Sequence, residues 1–239
     1  MNFTKLSVFG LVFFFMTACS PGQLQNVVKD VISDVPLTNG QIGNGLKEAL
    51  EIGITKGASQ LSAFNGYFES PYKILLPPEA RQITDKLAKI PGFKQVENEI
   101  VKKLNRGAEE AAKSAVPIFV NAIKGISIAD ASKILMGGQT AATDFLKNST
   151  TGELTNAFSP VIQESLDKVQ ARKVWSDAIN AYNKIPFITK ANPNLDEYVT
   201  GEALNGLFSV VEKEEGNIRT NVAARTSDLL KKVFAKQDN

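Results

Sequence analysis

The feature that most constrains the fold is the spacing of apolar and small residues along Gln41 to Leu61, which recur at steps of three and four. These positions are Ile42, Leu46, Ala49, Leu50, Gly53, Ile54, Gly57 and Leu61. The spacing predicts an amphipathic helix with one face in a protein core. Glycine weakens a helix interior by about 1 kcal/mol relative to alanine. Because Gly53 and Gly57 lie one turn apart on the apolar face, we expect another helix to approach closely there.

Similar spacing covers most of the remaining chain. It predicts helices over Pro78–Ile90, Phe93–Gly125, Ser127–Met136, Thr140–Lys147, Leu154–Val169, Lys173–Asn183, Leu195–Glu215 and a last one after Asn221. Pro117 must kink its segment or begin a new helix. No stretch shows the sustained alternation typical of a strand. The sequence therefore predicts an all-α fold, with a single multi-helix domain over residues 41–236, short loops, and a tail at 237–239.

Polar residues mark several predicted helix starts. Ser127 with Asp130 and Thr150 with Glu153 have the spacing of a capping box, and Asn194 stands before Leu195 in the same way. Asn221 is the expected cap of the last helix.

The amino terminus has the pattern of a secretory signal, with Lys5 followed by an apolar run from Leu6 to Phe15. The residues Met-Thr-Ala-Cys that end at Cys19 resemble the lipobox of bacterial lipoproteins. The resemblance implies cleavage between Ala18 and Cys19 and acylation of Cys19. Residues 1–18 would then be a signal peptide and residues 19–40 a lipidated cysteine and tether. A plain secretory signal is the alternative.

An acylated Cys19 makes the membrane a partner, because two or more acyl chains hold a protein stably on a bilayer. Ser20 follows the cysteine, and the sorting rule of enteric lipoproteins then favours the outer membrane, facing the periplasm, over the inner membrane.

The composition argues against several kinds of function. The chain has no histidine and a single cysteine, and its formal net charge is +2. Histidine is the commonest general base and metal ligand. We therefore expect no metal, no cofactor and no catalytic residues, and the absence of a basic tract argues against a nucleic-acid partner.

Charged residues beside apolar stretches form one candidate site. They are Arg106, Glu109, Arg219, Arg225 and Asp228. Arg106 and Glu109 are three residues apart, as are Arg225 and Asp228, so each pair can meet on one helix face. They are either structural salt bridges or an arginine-lined pocket for an anionic ligand. The neighbouring Asn105 belongs with this set.

Aromatic residues crowd the segment after the first helix. Phe64, Tyr67, Phe68 and Tyr72 stand close to Pro71, Pro77 and Pro78. The segment is either a loop attached to the core by its rings or a lid over a ligand.

Four stretches together resemble one bacterial family. They are N-G-L-K-E-A-L from Asn44, L-N-R-G-A-E-E-A-A from Leu104, P-I-F-V-N-A-I from Pro117, and A-A-R-T-S-D-L-L-K-K-V-F from Ala223. The family is catalogued as domain of unknown function 4197, and the resemblance runs from about Gly40 to Phe234. It implies an exported, often lipid-anchored, all-α protein and implies no activity.

These observations favour a non-catalytic binding or protein-interaction module of the envelope with a protein partner. The alternative is a carrier of a hydrophobic or amphiphilic, lipid-like ligand inside the helical domain. A less favoured hypothesis is a hydrolase without histidine, which would use carboxylates or a serine–lysine pair such as Ser132 and Lys133.

Overall fold

The first helix, α1, spans Asn39–Ser62 and begins at a capping box. The Thr38 side chain accepts a hydrogen bond from the backbone N–H of Gln41 at 3.2 Å, and the Gln41 side chain accepts one from the backbone N–H of Thr38 at 2.9 Å. These bonds satisfy N–H groups that a helix start otherwise leaves unpaired. The helix therefore begins two residues before the predicted Gln41, within the segment predicted as tether.

The structure is a computed structural model that describes residues 37–78, 93–184, 186–187, 190, 192–235 and 238. After α1, the helices are α2 Phe93–Ala112, α3 Ala115–Lys124, α4 Ile128–Leu135, α5 Ala141–Asp167, α6 Ala171–Tyr182, α7 Leu195–Thr220 and α8 Asp228–Phe234. A short 3₁₀ turn, Val222–Ala224, links the last two. The described residues contain no strand. The predicted all-α class is confirmed.

Helix α1 packs directly against α7 at Gly53 and Gly57. A methyl group added at Gly57 would lie 2.7 Å from Val210, and one at Gly53 would lie 3.4 Å from the β-carbon of Glu214. Because real β-carbons almost never come within 3.0 Å of another heavy atom, alanine at position 57 would force the Val210 side chain or α7 itself to shift. The predicted close approach of another helix is confirmed.

Helices α2 and α3 carry the alanine-rich stretch into the core. Ala108, Ala112 and Ala115 are all buried. The helical conformation is interrupted between Ala112 and Ala115. Pro117 lies in the first turn of α3, where a backbone N–H would make no hydrogen bond within the helix, so proline is tolerated. Pro117 therefore belongs to the start of a new helix, one of the two predicted outcomes.

Helix α5 corrects two predictions. It runs without interruption over Ala141–Asp167, so the predicted short helix Thr140–Lys147 and the separate helix after Thr150 are one element. Thr150 does not cap a helix. It is buried inside α5, and its hydroxyl donates to the carbonyl oxygen of Leu146 at 2.6 Å. Ser127, by contrast, caps α4 as predicted, with its hydroxyl oxygen 3.1 Å from the backbone nitrogen of Asp130.

The chain end also differs from the prediction. Helix α7 continues past the predicted end at Glu215 to Thr220. Asn221 caps only the 3₁₀ turn, where its side chain accepts from Ala223. The cap of α8 is Ser227, whose hydroxyl accepts from Leu230 at 3.2 Å.

Residues 37–239 form one compact unit. Its buried apolar core extends from Leu46 to Phe234 and draws on each helix from α1 to α8. An edge-to-face contact between Phe119 and Phe208, with ring centroids 5.8 Å apart, joins α3 to α7 in this core. The unit thus has a hydrophobic core of its own, which is typical of a domain that can fold independently.

Several predictions lie outside the described residues. They are the signal peptide at 1–18, Cys19 and most of the tether, the helix over Pro78–Ile90, and part of the tail. Of the helices that are described, none has by itself the length and apolar composition needed to cross a bilayer. The segments Glu97–Lys124 and Ile128–Leu135 reach that length and composition only when they are counted together, and the path bends by 109° between them.

Candidate functional site

The aromatic loop, Phe64 to Ile74, crosses from the end of α1 over α2 and α7. Its four predicted lid residues have different environments. Tyr67 is buried and its hydroxyl donates to the carbonyl oxygen of Ala203 on α7 at 2.7 Å. Phe68 and Tyr72 are half-buried, whereas the Phe64 side chain is 80% exposed. Tyr67 therefore attaches the loop to the core, and Phe64 faces solvent.

Glu109 on α2 holds the middle of the loop. Its Oε1 accepts hydrogen bonds from the backbone N–H groups of Tyr67 and Phe68, each at 3.2 Å. Its Oε2 pairs with the guanidinium of Arg106 one turn earlier. The predicted pairing of Arg106 with Glu109 is present, and the buried carboxylate also uses its second oxygen to fix the loop backbone.

Asn105 on α2 holds the far end of the loop. Its Oδ1 accepts from the backbone N–H of Ile74, and its Nδ2 donates to the carbonyl oxygen of the same residue, each at 2.8 Å. A further bond of 2.7 Å runs to the carbonyl oxygen of Val101. The amide supplies both a donor and an acceptor, so it satisfies the backbone N–H and the carbonyl oxygen of Ile74 at the same time.

Arg106 joins the buried part of the site to its exposed part. Its guanidinium carbon lies 3.7 Å from the ring centroid of Phe64 and 5.5 Å from that of Phe68. A second hydrogen bond of the guanidinium goes to the side chain of Asn65. The ammonium of Lys73 also lies 4.4 Å from the Phe68 centroid. The loop therefore presents aromatic rings with cations over their faces, an attractive arrangement.

The backbone conformation and packing at the tip of the loop restrict which residues can stand there. Asn65 has a φ of 66°, in the left-handed region that asparagine tolerates better than most residues. A β-carbon at Gly66 would lie 2.4 Å from the carbonyl oxygens of both Gln60 and Leu61. The sharp turn beside Phe64 thus depends on a glycine that packs against the end of α1.

Burial raises the pKa of the Tyr67 phenol well above its ordinary value of 10.0, and the nearby charge of Glu109 adds to the effect. Both causes disfavour the phenolate. Tyr67 therefore stays protonated at neutral pH, which suits its role as a hydrogen-bond donor to Ala203.

A second polar cluster forms where α4 ends and α5 begins. Glu215 accepts hydrogen bonds from the backbone N–H groups of Ala142 and Thr143, at 3.0 and 2.8 Å. Arg219 pairs with Glu215 at 2.8 Å and donates to the carbonyl oxygens of Ile134 and Leu135. The pair thus places a carboxylate at a helix start and a guanidinium at a helix end, as the helix dipoles favour.

Glu215 was not predicted as part of this cluster. The spacing of four residues between Glu215 and Arg219 was the available signal, since such residues lie on one helix face. Their positions in the core, however, depend on contacts with α4 and α5, which are distant in the sequence.

Arg225 does not pair with Asp228, contrary to the predicted spacing. Its guanidinium donates to the carbonyl oxygens of Ile218 and Arg219 at the end of α7 and forms two bonds, of 2.7 and 2.6 Å, with Asp238. Asp228 is exposed and lies 3.6 Å from Lys231. Helix α8 begins only at Asp228, so Arg225 precedes it and the helical spacing rule does not apply.

The five predicted polar residues therefore do not form one pocket. Arg106 and Glu109 belong to the aromatic loop, Arg219 and Arg225 hold helix ends, and Asp228 lies at the surface. In the part of the chain that is described, every buried side-chain nitrogen or oxygen has a hydrogen-bond partner.

A family model described as "Protein of unknown function (DUF4197)" matches residues 36–235. The chain belongs to this family. It matches no curated protein and no solved structure. The match includes all the helices from α1 to α8, so it covers the aromatic loop and the Glu215–Arg219 cluster of this DUF4197 chain.

The lysine and the carboxylates that a hydrolase without histidine would use form ion pairs in this DUF4197 chain. Lys133 is exposed and lies 3.6 Å from Asp130, on the surface of α4. Glu214 pairs with Lys56 of α1 at 2.8 Å, whereas its neighbour Glu215 pairs with Arg219. The described residues include no group of three or more acidic, histidine or cysteine side chains suited to a metal ion.

The apolar space between α1 and α7 is small. It is lined by Leu46, Leu50, Ile54, Val211 and Ile218 among others, and has room of about 20 Å³. That is about the volume that one water molecule needs. An acyl chain does not fit there. A larger groove of about 330 Å³ between α5 and α7 is open to solvent, and its lining mixes polar side chains such as Thr151 and Ser159 with the apolar Leu204 and Phe208.

Proposed function

We propose that this DUF4197 protein is a non-catalytic interaction module of the bacterial envelope, anchored by acylated Cys19 in the outer membrane and facing the periplasm. Its proposed binding surface is the aromatic loop, which contacts an envelope protein. The observation that carries the proposal is the exposed Phe64 ring beneath the guanidinium of Arg106, at 3.7 Å.

The loop is fixed before any partner binds. Glu109 holds its middle, Asn105 holds its end, and Tyr67 is bonded to α7. A ring held in place on such a frame loses little conformational freedom when it enters a partner's pocket. Phenylalanine and arginine are also among the residue types enriched at protein–protein interfaces.

The side chains of the aromatic loop indicate which groups the partner's surface should carry. A guanidinium has five N–H donors, and two of its nitrogens are engaged with Glu109 and Asn65. Further donors on Arg106 remain for acceptors on a partner, and exposed Lys73 adds a second cation nearby. We therefore expect an apolar pocket for Phe64 with carboxylate or carbonyl oxygens at its rim.

The buried charges favour binding over catalysis. Glu109, Glu215, Arg219 and Arg225 all make their hydrogen bonds to helix ends, to loop backbone or to charged side chains of the same domain. A general acid or base must instead direct its titrating atom at a substrate. These four side chains are used by the fold.

The partner is tested by photo-crosslinking in cells of the natural host. A photoreactive amino acid replaces the exposed Glu69 of the aromatic loop, and a matched chain carries it in place of the exposed Ile128 on α4. We expect a discrete cross-linked protein from position 69 alone, and its loss in the Phe64→Ala background. Equal products from both positions, or an unchanged yield in Phe64→Ala, would contradict the proposed surface.

The anchor is tested separately by growth with a labelled palmitate analogue. We expect label on the wild-type chain and in the outer-membrane fraction, and none on Cys19→Ala. An unlabelled wild-type chain would leave the aromatic-loop proposal standing and remove the lipid anchor.

A further inference from the structure

A second exposed aromatic side chain lies after α6, far along the chain from the aromatic loop. Phe187 is fully exposed, and the preceding Pro186 is exposed as well. Phe187 also has a φ of 63°, in the left-handed region that bulky residues rarely adopt. A fully exposed apolar ring offers its whole surface to a partner.

Two lysines flank this ring. Lys184 and Lys190 are both exposed, and among the described residues neither has an ion-pair partner. The sequence from 184 to 190 contains no acidic residue, and it places isoleucines at positions 185 and 188. An apolar centre with basic edges matches the interface of an anionic bilayer, where rings enter the headgroup layer and lysines meet lipid phosphates.

We propose that this α6 tip, defined as Lys184, Pro186, Phe187 and Lys190, contacts an anionic lipid bilayer. Charge complementarity selects a bilayer as the occupant, because two exposed lysines within three residues of the exposed ring favour anionic headgroups. The inference rests on the proposed lipid anchor for its biological context. An anchored domain meets the bilayer at high effective concentration, so a contact that is weak in solution suffices to orient it.

Hydrogen bonds attach the segment just after the α6 tip to α6 and α7. The indole N–H of Trp175 on α6 donates to the carbonyl oxygen of Asn192 at 3.1 Å, and the Asn192 side chain donates to Glu197 of α7 at 3.0 Å. Contact of Phe187 with a bilayer would therefore set the orientation of α6 and α7. Trp175 is the one tryptophan in the chain, so its fluorescence reports on this attachment.

The test uses residues 37–239, which contain the whole compact unit and lack the anchor. Sedimentation with vesicles of phosphatidylcholine containing 0 to 40% phosphatidylglycerol measures partitioning. We expect binding that rises with the anionic fraction and is lost in 0.5 M NaCl. Phe187→Ala should lower the partition coefficient by about tenfold, and Lys184→Gln/Lys190→Gln by a similar factor.

Matched variants control for exposure and charge. Met136→Ala removes a highly exposed apolar side chain outside both proposed surfaces, and Lys147→Gln/Lys213→Gln removes two exposed lysines elsewhere. Both should partition like wild type. An unchanged Trp175 emission in buffer verifies that each variant retains the attachment at Asn192.

Three results would each overturn the inference. The first is wild-type sedimentation at background at every lipid composition, and the second is partitioning of Phe187→Ala equal to that of wild type. The third is a loss in Met136→Ala as large as that in Phe187→Ala. Cross-linking from position 69 does not involve the α6 tip, so failure here leaves the proposed protein-binding surface untouched.

Discussion

The guanidinium of Arg106 lies 3.7 Å from the ring centroid of Phe64, and the same side chain pairs with the buried Glu109. One arginine thus connects an exposed ring to a carboxylate that also holds the loop backbone. The exposed surface and the buried polar network are therefore connected through Arg106. A change at Glu109 should alter the position of the Phe64 ring.

Replacing Glu109 with alanine tests that connection. The change leaves the half-buried Arg106 charge without its partner, and it leaves the buried N–H of Tyr67 and the half-buried N–H of Phe68 unpaired. We therefore expect a loss of about 2–4 kcal/mol in the free energy of unfolding. Denaturant titration of residues 37–239 measures it. Glu110→Ala is the matched control, because Glu110 is exposed and its pair with Lys113 contributes at most about 1 kcal/mol. Equal losses would show that Glu109 does not hold the loop.

The raised pKa of Tyr67 predicts a pH dependence above its ordinary value of 10.0. In the unfolded chain the phenol loses its proton near that pH, whereas in the native state it keeps it. The native state then binds more protons, so stability falls as pH rises, by up to about 1.4 kcal/mol per pH unit from this group. The contribution is fully present at neutral pH.

The check compares wild type with Tyr67→Phe between pH 8 and pH 11, since lysines titrate in both proteins and cancel in the difference. At pH 8 the variant should be less stable by about 1–2 kcal/mol, because the hydrogen bond to Ala203 is lost. The difference should shrink above pH 10. A difference that stays constant over this range would contradict the burial of a neutral phenol.

The Glu215–Arg219 pair should show strong coupling in a double-mutant cycle. Glu215→Ala leaves a guanidinium that is 4% exposed without a carboxylate, and it removes the acceptor at the start of α5. We expect a loss of about 3–5 kcal/mol for either single alanine variant, and a loss in the double variant well below the sum of the two. Additive losses would mean that the two side chains act independently.

The correct and incorrect predictions have different physical origins. The close contact at Gly57 was predictable because helical spacing places the glycines on the buried face whatever α7 does. The role of Glu215 was not, because its acceptor atoms meet N–H groups of Ala142 and Thr143, about seventy residues away. Such a contact is set by packing of α5 on α7 and leaves no local pattern.

The errors at Thr150 and Arg225 came from local patterns with more than one meaning. A threonine hydroxyl bonds equally well to a helix start or to the carbonyl four residues before it, and Thr150 does the latter. The spacing of Arg225 and Asp228 indicates a pair only inside a continuous helix. Likewise, clustered aromatic residues predict a loop against the core, yet only packing decides that Tyr67 is buried and Phe64 exposed.

The turn beside Phe64 provides the last prediction. Alanine at Gly66 would bring its methyl group to 2.4 Å from two backbone carbonyl oxygens, which no side-chain rotation relieves. We expect Gly66→Ala to destabilise the domain and to abolish cross-linking from position 69, because the loop must move. Gly152 in α5 is the matched control. Nothing lies within 4 Å of a methyl group there, so Gly152→Ala should stabilise the helix by about 0.5–1 kcal/mol. Thermal unfolding of both variants measures the contrast. If Gly66→Ala unfolds like wild type, the turn does not depend on the close packing of Gly66 against the end of α1.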